Sequence, residues 1–296
     1  MKLFHAVGRV EYGNPFRERS KARTLWLGLN RAFPSAIACM VMPNHIHLIA
    51  EGEPGAVPRV LGATLGALGR RGRLGPARFQ PIPAPQVIPD LKHLARQIRY
   101  VHLNPCRAGL CKDPLTWEWS THRDWIGATF NSWPDRLKWG GLLGWPQDEI
   151  ARRIHRYVSG DPTVRVEGTA LFDPRTHDVP LSWAARAVAL AGRELWAFED
   201  FSLPARRLLG AYGALRSGLS VRRLARRLYV ASSTIHDWVQ NGITAERLRA
   251  IDLIVGDERM LQPFSGQDVR IGACSEPNPA DSGQPVRKDI RERRLT

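Results

Sequence analysis

Residues 41–52 read VMPNHIHLIAEG, and two histidines one residue apart inside an apolar run constrain this chain more than any other stretch does. Successive side chains of a strand point to opposite faces, so His45 and His47 share one face while Ile46 and Leu48 take the other. Imidazoles also pack in interiors with no ligand between them. The pair points to a metal only if the fold brings a third donor to the same face.

The flanking sequence states what kind of fold could do so. KLFHAVGRV alternates as a strand, and RSKARTLWLGLNRAF has helical spacing with Leu25, Leu29 and Phe33 inward. AIACMVM and HIHLIAE then read as two strands joined at Pro43-Asn44, a turn-forming pair, so a hairpin carries the histidines. PRVLGATLGALGRRGR reads as a glycine-weakened helix, and PARFQPIPAPQVIPD is too rich in proline for anything but an edge strand or loop. Asp90 is placed to cap LKHLARQIRYVHLN, whose Leu91, Leu94, Ile98 and Val101 form an apolar stripe and which Pro105 is expected to end.

Tyr100 and Asn104 lie one turn apart on that last helix and project from one face. If this face meets His45 and His47, two imidazoles, an amide oxygen and a phenol surround one point. Such a mixed nitrogen and oxygen set suits Mg²⁺ or Mn²⁺, Mn²⁺ being the more tolerant of imidazole. A cation there would polarise a phosphodiester and the tyrosine would attack phosphorus. His102 falls off the face, and with His93 is expected to be structural or DNA-facing.

Charge agrees with a phosphodiester partner. Lys plus Arg number 43 against 28 Asp plus Glu, a formal +15 in 296 residues, with arginine dominant. Arginine pairs phosphate bidentately and stacks on bases, although a GC-rich genome also writes arginine where others write lysine. The four cysteines, Cys39, Cys106, Cys111 and Cys274, have no C-x-x-C spacing and indicate neither a disulfide framework nor a zinc site. MKLFHAVGRV lacks the apolar core of a signal peptide and no run is long enough to span a membrane, so a soluble, cytoplasmic, nucleoid-associated bacterial protein is expected.

Beyond the tyrosine helix, TWEWSTHRDWIG and NSWPDRLKWGGLLGW are irregular and tryptophan-rich, a composition that glues segments together. LSVRRLARRLYVASSTIHDWVQNG, about residues 219–241, has the form helix, short turn, helix, with Ser220 as cap. As a helix-turn-helix it would offer Ser232, Ser233, Thr234 and His236 to bases and Arg222, Arg223, Arg226 and Arg227 to phosphates of double-stranded DNA. The bland alternative is an ordinary helical hairpin.

Two long motifs carry a resemblance. VMPNHIHLIAEG resembles the His-hydrophobe-His motif of single-tyrosine transposases, and IRYVHLNPCRAGLCKDPLTWEWSTHRDWIG resembles the segment around the nucleophile in their REP-associated branch, with an IS200-like transposase domain. The likeness continues through GWPQDEIARRIHRYVSGD, about the first 160 residues. It implies a ferredoxin-like βαββαβ catalytic domain with an antiparallel sheet, and with the helical C-terminal domain containing the helix-turn-helix, read from the later residues, the expected fold class is α+β. It also implies a divalent metal on His45 and His47 with Asn104 as third ligand, Tyr100 as nucleophile, and a hairpin-bearing single-stranded DNA cut to a 5′-phosphotyrosine and a free 3′-OH. The stretch GATLGALGRRGRLGPARFQPIPAPQ departs from the family pattern, which puts DNA grip and hairpin choice in doubt.

The expected organisation is a transposase domain over 1–130, a Trp-rich extension and linker over 131–175, a helical domain over 176–258 and a disordered tail over 259–296. A transposase acting as monomer or homodimer leads the readings. A non-catalytic DNA-binding regulator using the helix-turn-helix comes second. A metal-dependent hydrolase of small phosphoesters comes last, since it needs neither the arginines nor the tyrosine.

Overall fold

A computed structural model describes residues 2–53, 55–75, 77–193 and 202–261. Four antiparallel strands form one sheet in the order β2-β3-β1-β4: β1 is Lys2–Arg9, β2 Ala38–Val41, β3 His45–Gly52 and β4 Gln86–Ile88. Helix α1, Arg19–Ala32, joins β1 to β2, and α2, Ala56–Arg70, joins β3 to β4. The architecture is α+β, with a small antiparallel sheet among many helices.

Strand alternation decides the two sides of the sheet. Phe4, Ala6, Cys39, Val41, Ile46, Leu48 and Ala50 form one buried cluster with Leu25, Trp26 and Leu29 of α1 and Leu61 and Leu65 of α2. Full burial of each large aliphatic side chain contributes about 1.5–3 kcal/mol, so this layer stabilises the sheet substantially. Gly28 lets the helices approach: a Cβ there would sit 2.8 Å from Leu68 Cδ1. The opposite face carries His5, His45, His47, Met40 and Ile49, and α3, Leu91–Arg107, lies across it. In the β1–β3 register Val7 faces His47 and Arg9 faces His45.

Asp90 caps α3 by accepting the His93 N–H at 2.8 Å. Leu94, Ile98 and Val101 are buried as the stripe requires, but Leu91 is 41% exposed because it stands at the first position, beyond the sheet edge that the following turns cover. The helix does not end at Pro105 as expected. That residue removes only its own N–H, and the chain closes past it through Ala108 N–H to Asn104 C=O and Leu110 N–H to Pro105 C=O, both 2.9 Å.

The tryptophan-rich stretch guards the edge of the sheet. Val41 N–H donates to Trp119 C=O and Thr121 N–H to Cys39 C=O, both at 2.9 Å, so residues 119–121 cover strand β2, which would otherwise offer unpaired groups to another chain. Three indoles fix the cover: Trp117 Nε1 donates to Val41 C=O, Trp125 Nε1 to Ile37 C=O and Trp133 Nε1 to Phe33 C=O. The intervening helix α4, His122–Trp125, and the later α5, Arg136–Leu142, and α6, Ile150–Ser159, stack behind α3.

After a loop over 160–180, the remaining described chain is mainly helical: α7 Leu181–Ala191, α8 Leu203–Arg216, α9 Val221–Leu228, α10 Ser232–Asn241, α11 Ala245–Gly256 and α12 Glu258–Leu261. Ser220 caps α9, Tyr229 turns the chain at φ 55°, and Leu224, Leu228, Ile235 and Trp238 point inward. One buried apolar cluster runs from Met40 and Ile49 through α3 and Trp125 to α7, α8 and α11. Beneath it, Arg193 pairs with the fully buried Asp124. The tail expected over 259–296 lies, from residue 262 on, outside the described residues.

Candidate functional site

The antiparallel pairing of β1 with β3 and the cap that starts α3 together assemble one polar cluster on the sheet. His47 is buried at 4% exposure, and both of its nitrogens are engaged. Nδ1 lies 3.0 Å from His5 Nε2, and Nε2 lies 2.7 Å from the Asn104 side-chain amide. The His5 and His47 rings stack with centroids 5.2 Å apart, and His45 meets His47 edge-on at 5.0 Å. Tyr100 stands edge-on to both His47, at 5.7 Å, and His5, at 6.0 Å. The residue is 39% exposed, and the Arg107 guanidinium lies 5.1 Å from the centre of its ring.

The fold therefore gathers His45, His47, Tyr100 and Asn104. It adds His5 and Arg107, which the sequence reading missed. For His5 the sequence signal was a histidine inside a strand, and the β1–β3 register decides that its side chain shares the face of His45 and His47. Arg107 is brought over the tyrosine because α3 continues past Pro105.

Electrostatics keep the imidazoles neutral. Burial pushes His47 down to about 2, with His5, His45 and Arg9 adding repulsion. Burial and then Arg9 lower His45 to about 4. His5 is lowered by burial, opposed by a hydrogen bond with Gln86. Neutral imidazoles keep a lone pair for a cation, as metal binding requires.

The donors can be tested against a divalent ion. His45 Nδ1 lies 2.7 Å from Asn44 Oδ1, so that N–H donates to the amide oxygen and leaves Nε2 bare, the arrangement typical of metal-bound imidazole. The His47 Nε2 lone pair receives the Asn104 amide N–H, so the position that accepts a proton donor is the one a cation would take. Among the described residues no three His, Cys, Asp or Glu side chains form a complete metal group. An ion held by His45 and His47 would take its remaining ligands as oxygens from water or substrate, as Mg²⁺ or Mn²⁺ does.

Other residues singled out from the sequence lie elsewhere. His93 is half-exposed and bound to Asp90 through Nδ1 at 2.8 Å. His102 is fully buried on the far side of α3, against His122. On α9, Arg222, Arg223, Arg226 and Arg227 lie at the surface, as do Ser232, Ser233 and His236 on α10, with Thr234 half-buried. Cys39, Cys106 and Cys111 are free thiols. Among the described residues no helix is long and apolar enough to cross a membrane.

No known family model and no curated protein matches this chain. Among solved structures, a REP-associated tyrosine transposase bound to a REP hairpin is similar, at a TM-score of 0.36 and 19% identity, over 42% of this chain and 78% of that one. So distant a likeness carries no argument.

Proposed function

We propose that this protein nicks and rejoins hairpin-containing single-stranded DNA through Tyr100, as a metal-dependent transposase. The observation that carries the reading is the convergence of a half-exposed tyrosine, a neutral histidine pair and Asn104 on one face of a basic protein. The strand order β2-β3-β1-β4 with helices after β1 and β3 supports a ferredoxin-like βαββαβ reading of the first part of the chain.

The chemistry supplied by a divalent cation on His45 and His47, with Asn104 beside them, is polarisation of the scissile phosphodiester. Tyr100 Oη forms a bond to phosphorus while the P–O3′ bond breaks, and the phenol's proton finishes on the departing 3′ oxygen. Another 3′-OH then attacks the phosphotyrosine, restoring the phenol and joining the strands. The link's energy is conserved, which a plain hydrolase would discard. Arg107 beside Tyr100 places positive charge where the phosphate must lie.

A labelled single-stranded hairpin incubated with Mn²⁺ or Mg²⁺ tests this on a denaturing gel. A covalent protein–DNA band is expected, lost on chelation and in Tyr100→Phe. Tight hairpin binding with no band under either metal would sink the catalytic reading. That outcome would favour a non-catalytic regulator, a reading that the surface arginines of α9 and polar start of α10 support as a helix-turn-helix for double-stranded DNA.

A further inference from the structure

An open groove of about 590 Å³ runs along α6, lined by Trp145, Glu149, Arg152, Arg153, Arg156 and Tyr157. Three arginines and one glutamate leave it positively charged. Trp145 and Tyr157 are half-buried, their rings 6.3 Å apart and tilted by 55°. Trp145 packs on one side against the apolar core and Trp125, and Arg99 lies over the Tyr157 ring, so each ring keeps only part of its surface open, unlike Trp117 and Trp125, which are fully buried.

A continuous chain of contacts ties this groove to the tyrosine. Arg107 lies over Tyr100 and reaches Asp161 at 3.2 Å. Arg99 reaches the same Asp161 oxygen at 3.2 Å and lies 4.7 Å above the Tyr157 ring. Buried Asp161 thus holds two guanidiniums between two partly exposed aromatic rings, one at each end. The groove's own ion pairs are weak competitors for a ligand: Arg152–Asp173 and Arg153–Glu149 are largely exposed, and such pairs contribute about 0–1 kcal/mol. Arg156 is exposed and has no ion-pair partner among the described residues.

We infer that this groove is a binding track for single-stranded nucleic acid, which stacks bases on Trp145 and Tyr157 and sets phosphates on Arg152 and Arg156. Aromatic platforms interleaved with guanidiniums suit single strands, whose bases are free to stack, whereas a duplex hides its base faces. The inference rests on the reading of Tyr100 as nucleophile only for its direction: the track would hold the strand that enters or leaves the site.

The test uses the full-length protein in chelator, so that no cleavage intervenes, with an oligothymidine of about twelve nucleotides, within the span such tracks cover. Photo-crosslinking with 5-iodouracil in that strand is expected to label peptides carrying Trp145 or Tyr157. The double variant Arg152→Ala, Arg156→Ala is expected to bind the strand on the order of tenfold more weakly and to flatten the salt dependence of log K by about 0.7 for each phosphate no longer neutralised. Both residues are at the surface, and an unchanged melting temperature certifies the fold. Crosslinks confined to other segments, or unchanged affinity and salt slope, would overturn the inference whatever the gel shows for Tyr100. Absence of the Tyr100 adduct with these crosslinks intact would sink the transposase reading and leave the track standing.

Discussion

Acid should weaken this fold through three histidines that no functional reading uses. His102, His122 and His155 are fully buried in a row, with His102 Nδ1 3.3 Å from His122 Nδ1 and His122 Nε2 3.1 Å from His155 Nδ1. Their tautomers follow from one end. The Thr121 hydroxyl donates to Cys39 C=O and accepts the Cys39 N–H, so it takes its third bond as an acceptor from His102 Nε2–H. His102 Nδ1 must then accept from His122 Nδ1–H, and His122 Nε2 from His155 Nδ1–H. The row ends on His155 Nε2, buried with no hydrogen-bond partner.

A proton added anywhere breaks this alternation or charges a dry site. Burial accordingly lowers His102 to about 3 and His155 to about 4, and drives His122 well below its ordinary value. The unfolded chain binds protons below about pH 6.5 while the folded chain does not, so stability is full above that pH and falls as pH drops. At about pH 5, still above both folded values, each of His102 and His155 costs about 2 kcal/mol. The two together remove about 4 kcal/mol of a stability that is typically 5–15 kcal/mol, with His122 acting in the same direction. Urea unfolding at about pH 7.5 and pH 5 at fixed ionic strength measures it. His155→Gln, which keeps a donor toward His122 but does not titrate, should lose about 2 kcal/mol of the pH dependence. Equal stability at the two pH values, or an unaltered dependence in His155→Gln, would refute the reasoning.

Other outcomes are equally specific. Gly210→Ala should lower stability by about 1–3 kcal/mol in thermal melts, because a Cβ there would clash with the rigid Trp238 ring where α8 crosses α10. Arg193→Met should cost about 3–5 kcal/mol in the same denaturation assay by leaving the buried Asp124 carboxylate without its cation, while Arg193→Met with Asp124→Asn, which removes the charge and keeps an oxygen for Thr129 and the Trp133 N–H, should recover part of that loss. Replacing Arg222, Arg223, Arg226 and Arg227 with Gln should reduce binding to duplex DNA and its salt slope in a filter-binding titration, yet leave the Tyr100 adduct on a single-stranded hairpin unchanged. An equal effect on the adduct would mean that these arginines serve the Tyr100 site.

Local pattern decided a good deal of this protein. Period-two alternation in HIHLIAEG put His45 and His47 on one side of a strand, helical spacing put Tyr100 beside Asn104, and Asp90 and Ser220 announced the helices they cap. These relations are set by backbone periodicity within a few residues, so they are visible in one dimension. Which faces meet is not local. His5 joins the site through the β1–β3 register, Arg107 through a helix that survives Pro105, and the Tyr157 track through Asp161, which lies 54 residues from Arg107 in the chain. The row of three histidines likewise spans α3, α4 and α6, and each was spaced too far from the next to suggest a pair. Long-range packing of apolar surface chose those neighbours, and the polar contacts formed where that packing left them.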